Sequence, residues 1–123
     1  MTVVKLLAIG LLSLALQASA ATLPAKDRDE VDALLSRLET SGCQFNRNGS
    51  WYSGAEAKVH LSSKREYLEG KSALQTTEQF IELAATSSSM TGVAYQVKCK
   101  DTAAVPSRAW LLNELKQVRA SGS

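Results

Sequence analysis

The chain is poor in the residues that most often carry chemistry: one histidine, His60, and two cysteines, Cys43 and Cys99, in 123 residues. With so few imidazoles and thiols, carboxylates would have to complete any zinc shell, so neither a metal site nor a cofactor is expected. No nucleophile-elbow GxSxG, no HExxH pair and no glycine-rich phosphate loop occurs. Charge of one sign is missing too. Lysine and arginine total 14 against 12 aspartates and glutamates, a formal net charge of +2. A balance this even excludes a nucleic-acid partner, which calls for a basic patch or stripe. The apolar run from Leu6 to Leu16 is too short for a membrane span.

That run has another reading. Lys5 precedes it and Ala18-Ser19-Ala20 closes it, the three-part pattern of a cleavable secretory leader over residues 1–20, cut near Ala20. No cysteine sits at the cut, so no lipid anchor is expected, and no membrane span after cleavage. Residues 21–123 remain as a single small domain, periplasmic or secreted, with net charge +1 once Lys5 is gone. A domain of this size buries a modest share of its surface and often needs a staple. Export places Cys43 and Cys99 where a disulfide persists. Closing so long a loop is worth about 4 kcal/mol on the chain-entropy model.

From Asp27 the pattern turns helical, with Val31, Leu34, Leu35 and Leu38 on one stripe and Gly42 as a left-handed stop. "CQFNR" alternates, as does "YQVKCK" downstream. Antiparallel pairing with Cys43 across from Cys99 sets Phe45 opposite Val97 and Arg47 opposite Tyr95. A local hairpin through Asn48-Gly49 instead sets Phe45 across from Tyr52, and both pairings can coexist. Ser53 and Glu56 read as a capping box for a helix to about Leu68, and Thr76 to Gln79 as a second box ahead of Phe80 and Ile81. Pro106 suits the first turn of a last helix carrying Leu111, Leu115 and Val118 inward. The expected fold is α+β: about four helices packed on a small antiparallel two- or three-stranded ribbon, with one disulfide.

On the second helix Ala57, His60, Leu61, Lys64 and Leu68 fall near one stripe, so a face meant for the core carries an imidazole and an amine. Glu56, His60 and Lys64, four residues apart, can form one ridge. A Glu–His pair would lend basicity, yet no nucleophile or substrate-binding motif accompanies it. The bland reading satisfies His60 with a backbone carbonyl or the serine-rich loop, while Lys64 snorkels outward. Trp51 and Tyr52 beside Arg47 would make a contact patch.

Five stretches, taken together, resemble a known family: Phe45-Asn46-Arg47-Asn48-Gly49; Ala57, His60, Leu61 and Lys64; Glu78, Phe80 and Ile81; Ala85 through Val97 with Ser88, Ser89, Thr91, Gly92 and Tyr95; and Trp110-Leu111. Their order and spacing resemble the YfeK-like family of small exported bacterial proteins, a domain of unknown function, over essentially the whole chain after the leader. The resemblance implies a bacterial envelope setting and no established activity, substrate or cofactor. Where such relatives carry Lys-Pro before the tyrosine, this chain has Val93-Ala94.

The expectation is therefore a non-enzymatic binding or interaction module of the cell envelope, with an unidentified envelope protein or ligand as partner. Its candidate surface combines Arg47, Asn48, Trp51, His60, Lys64, Ser88, Ser89 and Thr91. The alternatives are a small hydrolase, or an inhibitor or immunity protein for an envelope toxin. The hydrolase would use His60 as base with a serine of residues 87–89, and so needs that ring within hydrogen-bonding reach of a serine hydroxyl.

Overall fold

A helix opens the architecture that a computed structural model of the chain describes over residues 22–122; the leader expected over residues 1–20 lies outside them. Helix α1 (Ala25–Thr40) starts two residues before Asp27 and buries Val31, Leu34, Leu35 and Leu38 as the periodicity predicts. Gly42 then takes φ +76°, the left-handed conformation that glycine adopts without penalty.

Strands β1 (Gln44–Arg47) and β2 (Ser50–Ser53) form the hairpin. Asn48 and Gly49 both have positive φ, +52° and +88°, as a type I′ turn requires. The other edge of β1 pairs with β3 (Gln96–Lys98), setting Phe45 opposite both Tyr52 and Val97. Both expected pairings thus coexist, one on each side of β1. The β1–β3 ladder stops at Asn46 and Gln96, one pair short of Arg47 opposite Tyr95. Tyr95 spends its backbone elsewhere: its N–H donates to the Thr86 carbonyl (2.9 Å) and its carbonyl accepts from the Ser107 N–H (2.9 Å).

The expected two- or three-stranded ribbon is in fact a sheet of four, in the order β2-β1-β3-β4. Strand β4 (Val105–Pro106) is only two residues long, too short for alternation to announce it. Pro106 lies on the sheet edge, where its missing N–H breaks no ladder, and it caps helix α4 (Ser107–Ala120) rather than entering its first turn. Ser107 is fully buried at this strand-to-helix corner. Its Oγ has no partner among the described residues.

Helix α2 (Gly54–Gly70) follows β2 directly, and α3 (Thr77–Ala84) follows a polar connection. Thr76 Oγ1 accepts the Gln79 N–H, but Gln79 Oε1 accepts from Gln75, so the second box closes one residue early. Phe45, Leu34, Leu38, Leu61, Phe80, Ile81, Tyr95, Val97, Leu111, Leu115 and Val118 fill the core. Cys43 and Cys99 are bonded, with Cα atoms 4.1 Å apart, one register step beyond the Gln44–Lys98 pair. The bridge therefore extends the ladder covalently.

Two packing features escape the hydrophobic pattern. A Cβ placed on Gly54 would fall onto the Leu38 carbonyl oxygen, so only glycine lets α2 start this close to α1. Glu30 is 3% exposed and accepts two N–H bonds from Arg119 (2.9 and 3.0 Å) and one O–H bond from Thr77 (2.7 Å). Arg119 also reaches Glu78 (2.8 Å), so one guanidinium joins α1, α3 and α4. These hydrogen bonds, Arg119 first, outweigh the cost of burial and pull the Glu30 carboxyl down to about 2.

Gly54→Ala should lower the unfolding free energy by about 2–3 kcal/mol, as overpacking against rigid backbone does; urea melts at neutral pH would measure it. The folded-state pKa of Glu30 lies below its unfolded value. Its contribution, on the order of 2–3 kcal/mol, is therefore complete above about pH 4.5 and drains away as pH falls toward about 2. Glu30→Gln should lose most of this at pH 7 and show a flatter stability profile between those pH values. A mutant profile as steep as the parent's would dissociate Glu30 from the acid sensitivity.

Candidate functional site

The register of α2 is set at its first turn. Ser53 Oγ accepts the Glu56 N–H (3.1 Å), and Glu56 Oε1 accepts the Ser53 N–H (2.9 Å), the reciprocal box expected from the sequence. Glu56 is thereby tied to the helix start, and the expected Glu56–His60–Lys64 ridge does not form. The inward turns of α2 bring His60 and Lys64 to one hydroxyl instead. His60 Nε2 lies 3.1 Å from the Tyr95 hydroxyl, and Lys64 Nζ donates to the same oxygen at 3.2 Å. Lys64 Nζ also donates to the Ser87 carbonyl at 3.1 Å.

Tyr95 is 2% exposed, with the Phe45 ring 5.0 Å away on one side and the His60 ring edge-on at 5.9 Å. Arg47, on the same face of β1 as Phe45, lays its guanidinium over the Tyr52 ring at 5.1 Å. Among the described residues neither Arg47 nor Lys64 forms an ion pair with a carboxylate. The other ammonium and guanidinium groups close by reinforce that picture. Burial, then Arg47 and Lys64, push the His60 pKa below its ordinary value. Burial and Arg47 depress Lys64 likewise. Burial raises Tyr95, and Arg47 partly offsets the rise.

Two grooves flank this cluster. The first, about 460 Å³, lies between the hairpin and α2 and is lined by Phe45, Arg47, Tyr52, Ala57, Val59 and His60, with Glu56 and Ser63 completing it. The second, about 380 Å³, runs past His60 and Lys64 to Leu68, Leu83 and Ser89. His60 stands on the ridge that separates them.

The expected surface is divided by this geometry. Arg47, His60 and Lys64 come together. Asn48 and the loop act as a clamp: Thr91 Oγ1 donates to Asn48 Oδ1 (2.8 Å), and Asn48 Nδ2 donates to Ser88 Oγ (3.4 Å). Ser88 Oγ also accepts the N–H groups of Met90 and Thr91 (both 3.3 Å), so Asn48, Ser88 and Thr91 hold the loop in shape. Ser89 is exposed at the rim of the second groove. Trp51 does not join. It pairs with Asn46 on the opposite sheet face from Phe45 and Arg47 and stands 41% exposed there. Its neighbour Tyr52 lines the first groove, as alternation from the Phe45–Tyr52 pair would have shown.

The His60–serine pair that a hydrolase needs is not formed. His60 bonds a phenol, Ser87 offers Lys64 only its carbonyl, and Ser88 Oγ is engaged by its own loop. Among the described residues no group of three or more His, Cys, Asp or Glu side chains assembles as a metal site would. No helix there is long and apolar enough to cross a membrane.

A family model described as a family of unknown function, DUF5329, matches residues 25–119. No curated protein and no solved structure matches significantly.

Replacing Arg47 by Gln removes a cation that depresses His60 and Lys64 and also favours the Tyr95 phenolate. NMR pH titration should then show His60 and Tyr95 both titrating higher than in the parent. An unmoved His60 would mean that Arg47 does not act on this cluster.

Proposed function

The chain belongs to the DUF5329 family of unknown function, and from that premise we propose that it is a non-catalytic binding module of the bacterial cell envelope. The leader pattern over residues 1–20 and the resemblance to YfeK-like exported proteins support the location. So does the Cys43–Cys99 bridge, since such bonds persist in oxidising compartments.

One observation carries the binding role. Arg47 and Lys64 are partly buried beside grooves without an acidic partner among the described residues, whereas most neighbouring helices pair their cations, as in Arg37–Glu114, Arg65–Asp32 and Arg119–Glu30. Partly desolvated charge left without a counter-charge costs stability unless something else compensates it. Lys64 is compensated in part by the Ser87 carbonyl and the Tyr95 hydroxyl, so the charge left for a bound partner to compensate is that of Arg47. The grooves are also of the size that holds small ligands or an inserted side chain.

A photo-crosslinking residue placed at Val59, which is 68% exposed and lines the first groove, tests this in bacterial cells expressing the full chain with its leader. Intact-mass analysis of the recovered protein should show a chain beginning at Ala21, with no free thiol, and carrying a discrete adduct. The adduct should disappear in an Arg47→Ala background and be absent when the crosslinker sits at exposed Lys100 instead. Equal capture from Lys100, or none from Val59, would remove the groove as a binding site.

A further inference from the structure

The protons of the His60–Tyr95–Lys64 cluster can be assigned by elimination. An ammonium has three donors and no acceptor, so the Tyr95 oxygen accepts from Lys64, and its own O–H, buried with it, needs an acceptor inside the protein. His60 Nε2, 3.1 Å away, is the acceptor in reach. That bond requires Nε2 to be unprotonated, which puts the imidazole proton on Nδ1. Lys64 therefore acts as a positioning residue: through Tyr95 it holds His60 as the Nδ1–H tautomer. Nδ1 has no partner among the described residues, on a ring that lines both grooves.

The first groove is lined by two donor-bearing groups, the Arg47 guanidinium and the His60 ring, alongside Tyr52 and Ser63. Its one carboxylate, Glu56, is tied back to Ser53. Arg47 stacks on Tyr52, which orients the planar fork, and it has no hydrogen-bond acceptor among the described residues. A guanidinium and an imidazole N–H are donors that favour an acceptor-only group such as a carboxylate. With His60 neutral, Arg47 and nearby Lys64 against the Glu56 carboxylate leave one net positive charge around the groove, which matches a monoanion better than a phosphate dianion. Phe45, Tyr52, Ala57 and Val59 wall the rest, so the body behind the anionic head is apolar or aromatic.

Building on the reading of this groove as a binding site, we infer that it takes a small organic carboxylate, the head held by Arg47 and His60 Nδ1–H and an apolar body against Tyr52 and Val59.

Benzoate, acetate and inorganic phosphate, titrated into the disulfide-bonded chain and followed by NMR, test the inference. In the free protein the His60 ring nitrogens should report the Nδ1–H tautomer, and Lys64→Met should release it into a mixture. Benzoate should shift the Arg47 Nε–H and His60 ring signals saturably. Acetate and phosphate should each bind at least about tenfold more weakly. Arg47→Gln should weaken benzoate at least about tenfold while leaving the tautomer unchanged. The inference is overturned by an Nε2–H tautomer, by phosphate binding as tightly as benzoate, or by benzoate shifts away from Arg47 and His60. Should these anions fail while the Val59 crosslinker still captures an adduct in cells, the groove remains a binding site and only the carboxylate assignment falls. Should benzoate bind as described while no adduct forms, the carboxylate site stands and the envelope-partner role falls.

Discussion

The Tyr95 hydroxyl is the point on which both fold and site depend. A phenol this deeply buried must have its hydrogen bonds completed inside the protein, and the two side chains that complete them, His60 and Lys64, come from α2. The same residue's backbone ties the loop at Thr86 to the start of α4 at Ser107. One tyrosine therefore joins the long helix, the serine-rich loop, the last helix and, through the Phe45 ring, the centre of the sheet. The hydrogen-bond partner of His60 is a phenol, where the sequence suggested a backbone carbonyl or the serine-rich loop.

Charge is distributed unevenly around that frame. On the α1, α3 and α4 side, Arg37, Arg108 and Arg119 pair with carboxylates, and the Glu30–Arg119 pair is drawn into the packing between helices. On the side where α2 meets the hairpin, Arg47 and Lys64 meet aromatic rings and neutral oxygens instead. Lys64 Nζ lies 5.0 Å from the Tyr95 ring centroid and 3.2 Å from its hydroxyl oxygen, and the hydrogen bond is the stronger contact. The near-neutral total charge of the chain conceals this asymmetry, because composition counts charges without placing them.

Much of the scaffold was legible because its signals are local or repeat at a fixed period. The stripe of α1, the Ser53–Glu56 box and the Asn48-Gly49 turn each act within a few residues. The cysteines supplied a long-range register, and the two candidate pairings of Phe45 proved to be the two edges of one strand. Strand β4 was not legible, since two residues carry no period. The burial of Glu30 was not either, because a carboxylate on a surface-like sequence position becomes tolerable only when Arg119, far along the chain, arrives to pair with it. Trp51 stands apart from Arg47 because alternation along β2 sends neighbouring side chains to opposite faces of the sheet.

What the sequence determined by itself was the four helices, the pairing of the central strand and the histidine-bearing face of α2. Periodicity, caps and turns operate over distances the chain itself controls. Only the tertiary structure decided which polar atoms meet on that face and which charges remain without a counter-charge. Desolvation and hydrogen-bond geometry depend on residues tens of positions apart arriving within about 3 Å of one another, and no local pattern records that arrival.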